Sequence, residues 1–204
     1  MNNLYIYGCS FSDFFLPHKV DKFWFKIVEK HFNLELKHRA LSGCGWQRIR
    51  PTIFKDAHTW NKDDLIIICP SFFSRVDIVD FSIDKPEWRL NTPWVKYLDN
   101  LDNRDKFYHD DYVNTIKTLR LINKNVYTWS LDKIDSEFSK ESYVINPPGN
   151  FESWMKWNES DSQNWIVPYP HPGGDGGTII EKDTHFSSHA HRLVAEHMIK
   201  SIEK

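Results

Sequence analysis

The chain has 204 residues, 15% of them aromatic (14 Phe, 9 Trp, 8 Tyr), and 26 Lys+Arg nearly balance 28 Asp+Glu for a formal net charge of −2. A ring-rich chain with so little net charge buries enough apolar surface to fold, which excludes disordered and collagen-like classes. The near-neutral balance also argues against a dedicated nucleic-acid binder, whose phosphate contacts need a basic excess.

In chain order, the first element is a short apolar run, Leu4 to Tyr7, closed by Gly8 and read as a buried parallel strand. Residues 20–31 follow with Phe23, Trp24, Ile27, Val28 and His31 on one helical face. Leu34 to Lys37 is a weaker strand, and residues 50–58 are predicted helical, with Pro51 tolerated if it sits in the first turn. Leu65 to Cys69, preceded by Asp63-Asp64 and ended by Pro70, reads as a second buried strand. Residues 106–123 place Phe107, Tyr112, Ile116, Leu119 and Ile122 on one helical face. Val126 to Trp129 and Tyr143 to Ile145 are further strands, the latter closed by Asn146-Pro147-Pro148-Gly149. Residues 187–202 form the last helix, carrying Leu193, Val194, His197, Met198 and Ile202, with Ser187 or Ser188 as N-cap.

Strands alternating with helices imply βαβ units: an α/β fold with a roughly five-stranded parallel sheet and helices on both faces. The length fits a single domain, residues 1–204, on a prior of roughly 150 residues per domain. Two ring-rich stretches, 75–103 and 147–182, break the alternation and read as long loops, a length that usually carries function.

Cys9, Cys44 and Cys69 are odd in number and widely spaced, which reads as three reduced, buried thiols rather than a disulfide framework. The longest apolar run, Leu65 to Cys69, is far short of the roughly 20 residues of a membrane span. The N-terminus lacks a basic region with a small-residue cleavage site, so the expected location is cytoplasmic, without membrane association.

Ligands of parallel α/β sheets bind at the carboxyl ends of the strands, so the residues after each strand carry the argument. They are Gly8-Cys9-Ser10-Phe11-Ser12-Asp13, Ala40-Leu41-Ser42-Gly43-Cys44-Gly45-Trp46 and Pro70-Ser71-Phe72-Phe73-Ser74-Arg75, with Lys182-Asp183-Thr184-His185-Phe186-Ser187 before the last helix. A hydroxyl, a Gly-containing turn and an Asp/His pair suggest an activated serine. Ser Oγ becomes a nucleophile when a base takes its proton and a carboxylate orients that base. Backbone N–H groups of the Gly-containing turn are then placed to stabilise an oxyanion.

These blocks resemble the SGNH (GDSL-type) hydrolases, especially a divergent subgroup of phage and marine bacterial proteins. The family's Gly-Asp-Ser-x-Ser/Thr is similar to Gly8-Cys9-Ser10-Phe11-Ser12, with Cys9 in the Asp position. The closing Asp-x-His block is similar to Asp183-Thr184-His185-Phe186-Ser187-Ser188-His189-Ala190-His191. The resemblance implies a three-layer flavodoxin-like sandwich. It assigns Ser10 as nucleophile, His185 as general base and Asp183 as its orienting carboxylate. The oxyanion donors would be the Ser10 and Gly43 N–H groups. Most members place an Asn after the third strand; this chain has Cys69-Pro70-Ser71, so Ser71 is the expected replacement, with Ser74 or no third donor as alternatives.

The expected activity is that of an esterase or deacylase acting on a small acyl ester. Trp154, Trp157 and Trp165 read either as a lid packed on the core or as a substrate wall suited to an O-acetylated glycan, two readings that are compatible, and Arg75 either binds an acidic substrate group or pairs with a surface carboxylate. No cofactor and no metal is expected. Several alternatives stay open: Ser10 as a mere helix cap, Cys9 as nucleophile, a metal held by Asp183, His185, His189 and His191, an acyltransferase using the same serine, and a weak or inactive domain that binds carbohydrate.

Overall fold

The computed structural model describes residues 2–14, 23–70, 77–80, 87–90, 104–131, 134–147, 154, 169–170, 178–179, 186 and 188–204. Its elements are β1 (Asn3–Tyr7), α1 (Trp24–Phe32), β2 (Glu35–His38), α2 (Trp46–Ala57), β3 (Leu65–Ile68), β4 (Asp77–Asp80), β5 (Glu87–Leu90), α3 (Arg104–Ile122), β6 (Val126–Thr128), β7 (Tyr169–Pro170), β8 (Thr178–Ile179) and α4 (Ser188–Ile202). The main sheet runs β2-β1-β3-β6 with every pair parallel. The expected fifth strand is reduced to a single parallel bridge between Thr128 and Val144. Ile145 adds one bond to the Thr128 carbonyl, and Pro147 and Pro148 follow two residues later with no N–H to extend the ladder.

The period of two along the strands sorts the core into two layers. Leu4, Ile6, Leu65 and Ile67 face one side, where they meet Trp24, Phe25 and Val28 of α1 and Ala190, Val194 and Met198 of α4. Tyr5, Tyr7, Ile66 and Ile68 face the other, against Trp46, Ile49 and Ile53 of α2 and Tyr112, Ile116 and Leu119 of α3. The result is an α/β/α sandwich around a parallel sheet. The chain leaves β1 toward β2 through a helix on one face, then returns past β1 to β3 through a helix on the other. The crevice between the carboxyl ends of β1 and β3 is therefore the topological switch point, where ligands of such sheets bind.

Three expectations change in detail. In α3 the buried stripe is Tyr112, Thr115, Ile116 and Leu119, whereas Phe107 is 66% exposed and Ile122 55% exposed. At roughly 100° per residue Phe107 lies about 140° from that stripe, so the spacing from Tyr112 does not carry it inward. Helix α2 starts at Trp46, so Pro51 is inside the helix rather than in its first turn and has no N–H for the Gln47 carbonyl. The stretches 75–103 and 147–182 each hold a short antiparallel pair, β4 with β5 and β7 with β8. Among the described residues no helix is long and apolar enough to cross a membrane.

Candidate active site

Strand β1 ends at Gly8, and the chain turns immediately into a 3₁₀ helix over Ser10–Ser12. Gly8 is required for space: a Cβ there would lie 2.8 Å from Ser12 Oγ, 2.9 Å from Ser12 Cβ and 3.0 Å from the Cys69 carbonyl oxygen. The turn is pressed directly onto the end of β3. Within it the side chains divide sharply. Cys9, Phe11 and Ser12 are buried, whereas Ser10 is only partly so. Cys9, not Ser10, is the N-cap residue of the 3₁₀ helix. Burial pushes the Cys69 thiol well above the usual thiol range, with the Cys9 thiol beside it adding to the effect. All three cysteines are buried, and none is in a disulfide.

The turn after β2 is tethered to this segment at several points. The Gly8 carbonyl accepts from the Leu41 N–H at 3.0 Å and from the Cys44 Sγ–H at 3.3 Å. The Asp13 carboxylate accepts from the Ser42 N–H at 2.7 Å and from the Ser42 hydroxyl at 2.8 Å. Gly43 follows with φ +80°, a left-handed conformation that favours glycine, and the space beside its Cα is open. Gly45 then caps α2. The segments that carry Ser10 and Gly43 are thus bound to one another at the carboxyl edge of the sheet.

His38, at the end of β2, braces the same turn. Its Nε2–H donates to the Ser12 carbonyl at 2.8 Å, and Nε2 lies 3.8 Å from Asp13 Oδ1. Burial holds the His38 pKa below the usual histidine value, against the opposing pull of the Ser12 carbonyl and the Asp13 charge. The ring is therefore neutral near pH 7, which suits an N–H donor to a carbonyl.

The last block approaches from α4. Phe186, fully buried, packs edge-on against Phe11 at 5.2 Å and stacks on Trp129 at 6.1 Å. Trp24 joins the same region: its indole N–H donates to the Phe11 carbonyl at 2.9 Å, and its backbone N–H donates to His191 Nδ1 at 3.3 Å. His191 is buried at the start of α4 and uses Nδ1 as an acceptor there, while His189 is exposed. Asp183, His185, Ser71, Arg75, Trp157 and Trp165 lie outside the described residues. Trp154 is described, and its place corrects the expectation of a substrate wall. It is fully buried against Trp129 at 5.1 Å and His197 at 5.7 Å, so its ring offers no face to a ligand.

No family model matches the chain, and no curated protein does either. Its three-dimensional structure does find counterparts. It is similar over 98% of its length to a member of the lipolytic protein G-D-S-L family from Veillonella parvula, covering 97% of that chain, with a TM-score of 0.53 at 12% identity. It is also similar over 100% of its length to a psychrotrophic esterase from Pseudoalteromonas sp., covering 97% of that chain, with a TM-score of 0.52 at 12% identity. The chain has the GDSL-type (SGNH) hydrolase fold. In this GDSL fold the turn after β1 and the turn after β2 are two of the four blocks that the sequence singled out, and hydrogen bonds join them. Asp13, Trp24 and His38 were assigned no site role from sequence. Asp13 has an ordinary local signature, an Asp closing a Ser-rich turn, and only its bonds to Ser42 distinguish it. Trp24 reads as a helix-face aromatic, and nothing in its spacing signals the bond to Phe11.

Proposed function

We propose that the protein is a serine hydrolase, an esterase or deacylase acting on a small acyl ester. In this reading Ser10 Oγ attacks the acyl carbonyl carbon while His185, oriented by Asp183, takes the hydroxyl proton. The oxyanion is held by the N–H groups of Ser10 and Gly43 and by the Ser71 hydroxyl. Collapse breaks the ester C–O bond, and the departing oxygen takes the proton from His185. Water then attacks the acyl-enzyme with His185 again as base, releasing the acid and regenerating Ser10. The observation that carries the proposal is the packing of Phe11 on Phe186, because the first ring follows Ser10 in the chain and the second follows His185. Trp157, Trp165 and Arg75 are proposed to line the substrate side, with an O-acetylated glycan as the fitting substrate, since flat indole faces stack on sugar rings.

A fluorophosphonate probe tests the proposal. The wild-type protein is expected to be labelled and the Ser10→Ala protein to remain unlabelled. Absence of label in the folded wild type, or label that survives Ser10→Ala, overturns it. A second reading is favoured by one observation. Pro70, buried two residues past the end of β3, has no N–H to offer an oxyanion, and the Asn common in the family is missing from this segment. A protein that binds glycan through its aromatic residues without turning over any ester would express that deficit, and glycan binding unaffected by Ser10→Ala would support it. Acyl transfer from the same serine is distinguished by product that depends on an added acceptor alcohol.

A further inference from the structure

The Asp13 carboxylate has an arrangement that packing alone does not call for. Its side chain is 18% exposed, and it sits at the C-cap of the Ser10–Ser12 turn, where its own N–H reaches back to the Ser10 carbonyl at 3.4 Å. Oδ1 accepts from the Phe14 N–H at 2.7 Å, which fixes the carboxylate plane. Oδ2 then accepts two bonds from a single residue in the next turn, the Ser42 N–H at 2.7 Å and the Ser42 hydroxyl at 2.8 Å. Ser42 is therefore held at both backbone and side chain, and the next peptide bond in the chain is the one that carries the Gly43 N–H.

Gly43 has φ +80° and no neighbour within 4 Å of the position a Cβ would take, so contacts on that side do not constrain it. A glycine in open space loses the most conformational freedom on ordering, and the direction of its N–H follows whatever holds the preceding residue. An oxyanion donor works by being aimed before the charge develops, so the restraint on Ser42 becomes a restraint on catalysis.

We infer that Asp13 is a positioning residue for oxyanion stabilisation, setting the Ser42–Gly43 peptide relative to the Ser10 turn through its paired bonds to Ser42. The inference rests on the reading of Ser10 as nucleophile and Gly43 as oxyanion donor. Its role is distinct from that of the triad: Asp13 exchanges no proton and touches no substrate.

The test compares wild type, Asp13→Ala, Asp13→Asn and Ser42→Ala by hydrolysis of p-nitrophenyl acetate and by backbone-amide NMR. Removing the acceptor is expected to lower kcat by about 10–100-fold, somewhat less than deleting a donor outright, with KM changed by less than about threefold. Asp13→Asn keeps a carbonyl oxygen for the Ser42 N–H and is expected to recover to within about fivefold of wild type, a rescue that bulk or stability alone does not predict. Ser42→Ala loses one of the two bonds and should fall between. The Gly43 amide resonance is expected to shift or broaden in Asp13→Ala. The inference is overturned if Asp13→Ala keeps wild-type kcat, if its loss appears only in KM, or if Asn is no better than Ala. An unchanged Gly43 resonance in Asp13→Ala overturns it even if no ester is turned over. Should Asp13→Ala not fold, Ser42→Ala with wild-type kcat and an unmoved Gly43 amide decides against it. A wild type that neither hydrolyses ester nor takes fluorophosphonate label refutes the Ser10 reading instead, and the amide measurement keeps the two failures apart.

Discussion

The ring of Phe11 meets the ring of Phe186 edge-on, with centroids 5.2 Å apart and both side chains buried. One ring belongs to the turn after the first strand, the other to the approach to the last helix, 175 positions later in the chain. Phe186→Ala is expected to cost about 3–5 kcal/mol of stability through lost burial and a residual cavity. At a temperature where the variant is still folded, fluorophosphonate labelling should also slow. Phe186→Leu refills most of the volume and should recover much of both. Denaturant titration and labelling rate, measured together, check the expectation.

Gly8 is expected to tolerate no side chain. A Cβ there collides with Ser12 and with the Cys69 carbonyl, a backbone atom just past the end of β3 that cannot swing aside. Gly8→Ala should destabilise the fold by about 1–3 kcal/mol, the usual range for overpacking. Because relief of the clash requires the Ser10–Ser12 turn to lift from β3, labelling of Ser10 should fall further than the stability loss explains. Labelling at a temperature well below the variant's melting midpoint separates the two effects.

Acidification should weaken the fold through His38 and His197. Burial lowers the pKa of both below the usual histidine value of about 6.5, against opposing hydrogen bonds to the Ser12 and Asn146 carbonyls. The unfolded chain therefore binds protons more readily than the native one between that value and the lower native pKa values. Stability contributed by the neutral rings is present above about pH 6.5 and is lost as pH falls below it. The urea midpoint should drop between about pH 7.5 and pH 5, and His38→Gln, which keeps a donor for the Ser12 carbonyl, should flatten that dependence. Equal slopes for variant and wild type would count against the assignment.

The three thiols should be silent in the native protein. Cys9, Cys44 and Cys69 are buried, and the Cys69 thiol is pushed up in pKa, so little thiolate is available to react. An aromatic disulfide reagent is expected to titrate three thiols after denaturation and to react only slowly before it. Rapid native labelling of Cys9 would revive it as a nucleophile.

Helix α3 separates two kinds of apolar residue. Ile116→Ala should cost about 2–5 kcal/mol, as deletion of a buried side chain does. Phe107→Lys, on the exposed side, should change stability by no more than about 0.5 kcal/mol. Thermal melts of the two variants check whether this face stays exposed in solution.

Strands β1 and β3 at the centre of the main sheet were legible in the sequence because buried parallel strands need continuous apolar runs, and Leu4 to Tyr7 and Leu65 to Ile68 supply them between polar or turn-forming neighbours; β2, with Glu35 and Lys37 in it, carries a weaker signal. The Ser10 turn was legible as well, because a Gly that must touch β3 and a partly exposed hydroxyl beyond it leave a short, recognisable string. Local pattern does not report angular position precisely enough for α3. A spacing of five residues carried Phe107 to the far side of the helix, although its apolar character pointed inward. Nor does it tell an indole in the core from one on a ligand-facing wall. Trp154 packs on Trp129 because the two meet across sequence, and no periodicity encodes that meeting.

By itself, then, the sequence determined the layered α/β architecture and the chain segments that gather at the carboxyl edge, since both follow from short-range periodicity and the topology it permits. Tertiary structure decided how those segments are joined: Asp13 to Ser42, Trp24 to Phe11 and His191, Phe11 to Phe186. Each of these contacts depends on directional geometry between residues far apart in the chain. Composition and spacing are blind to such geometry until the sheet has brought the partners within reach.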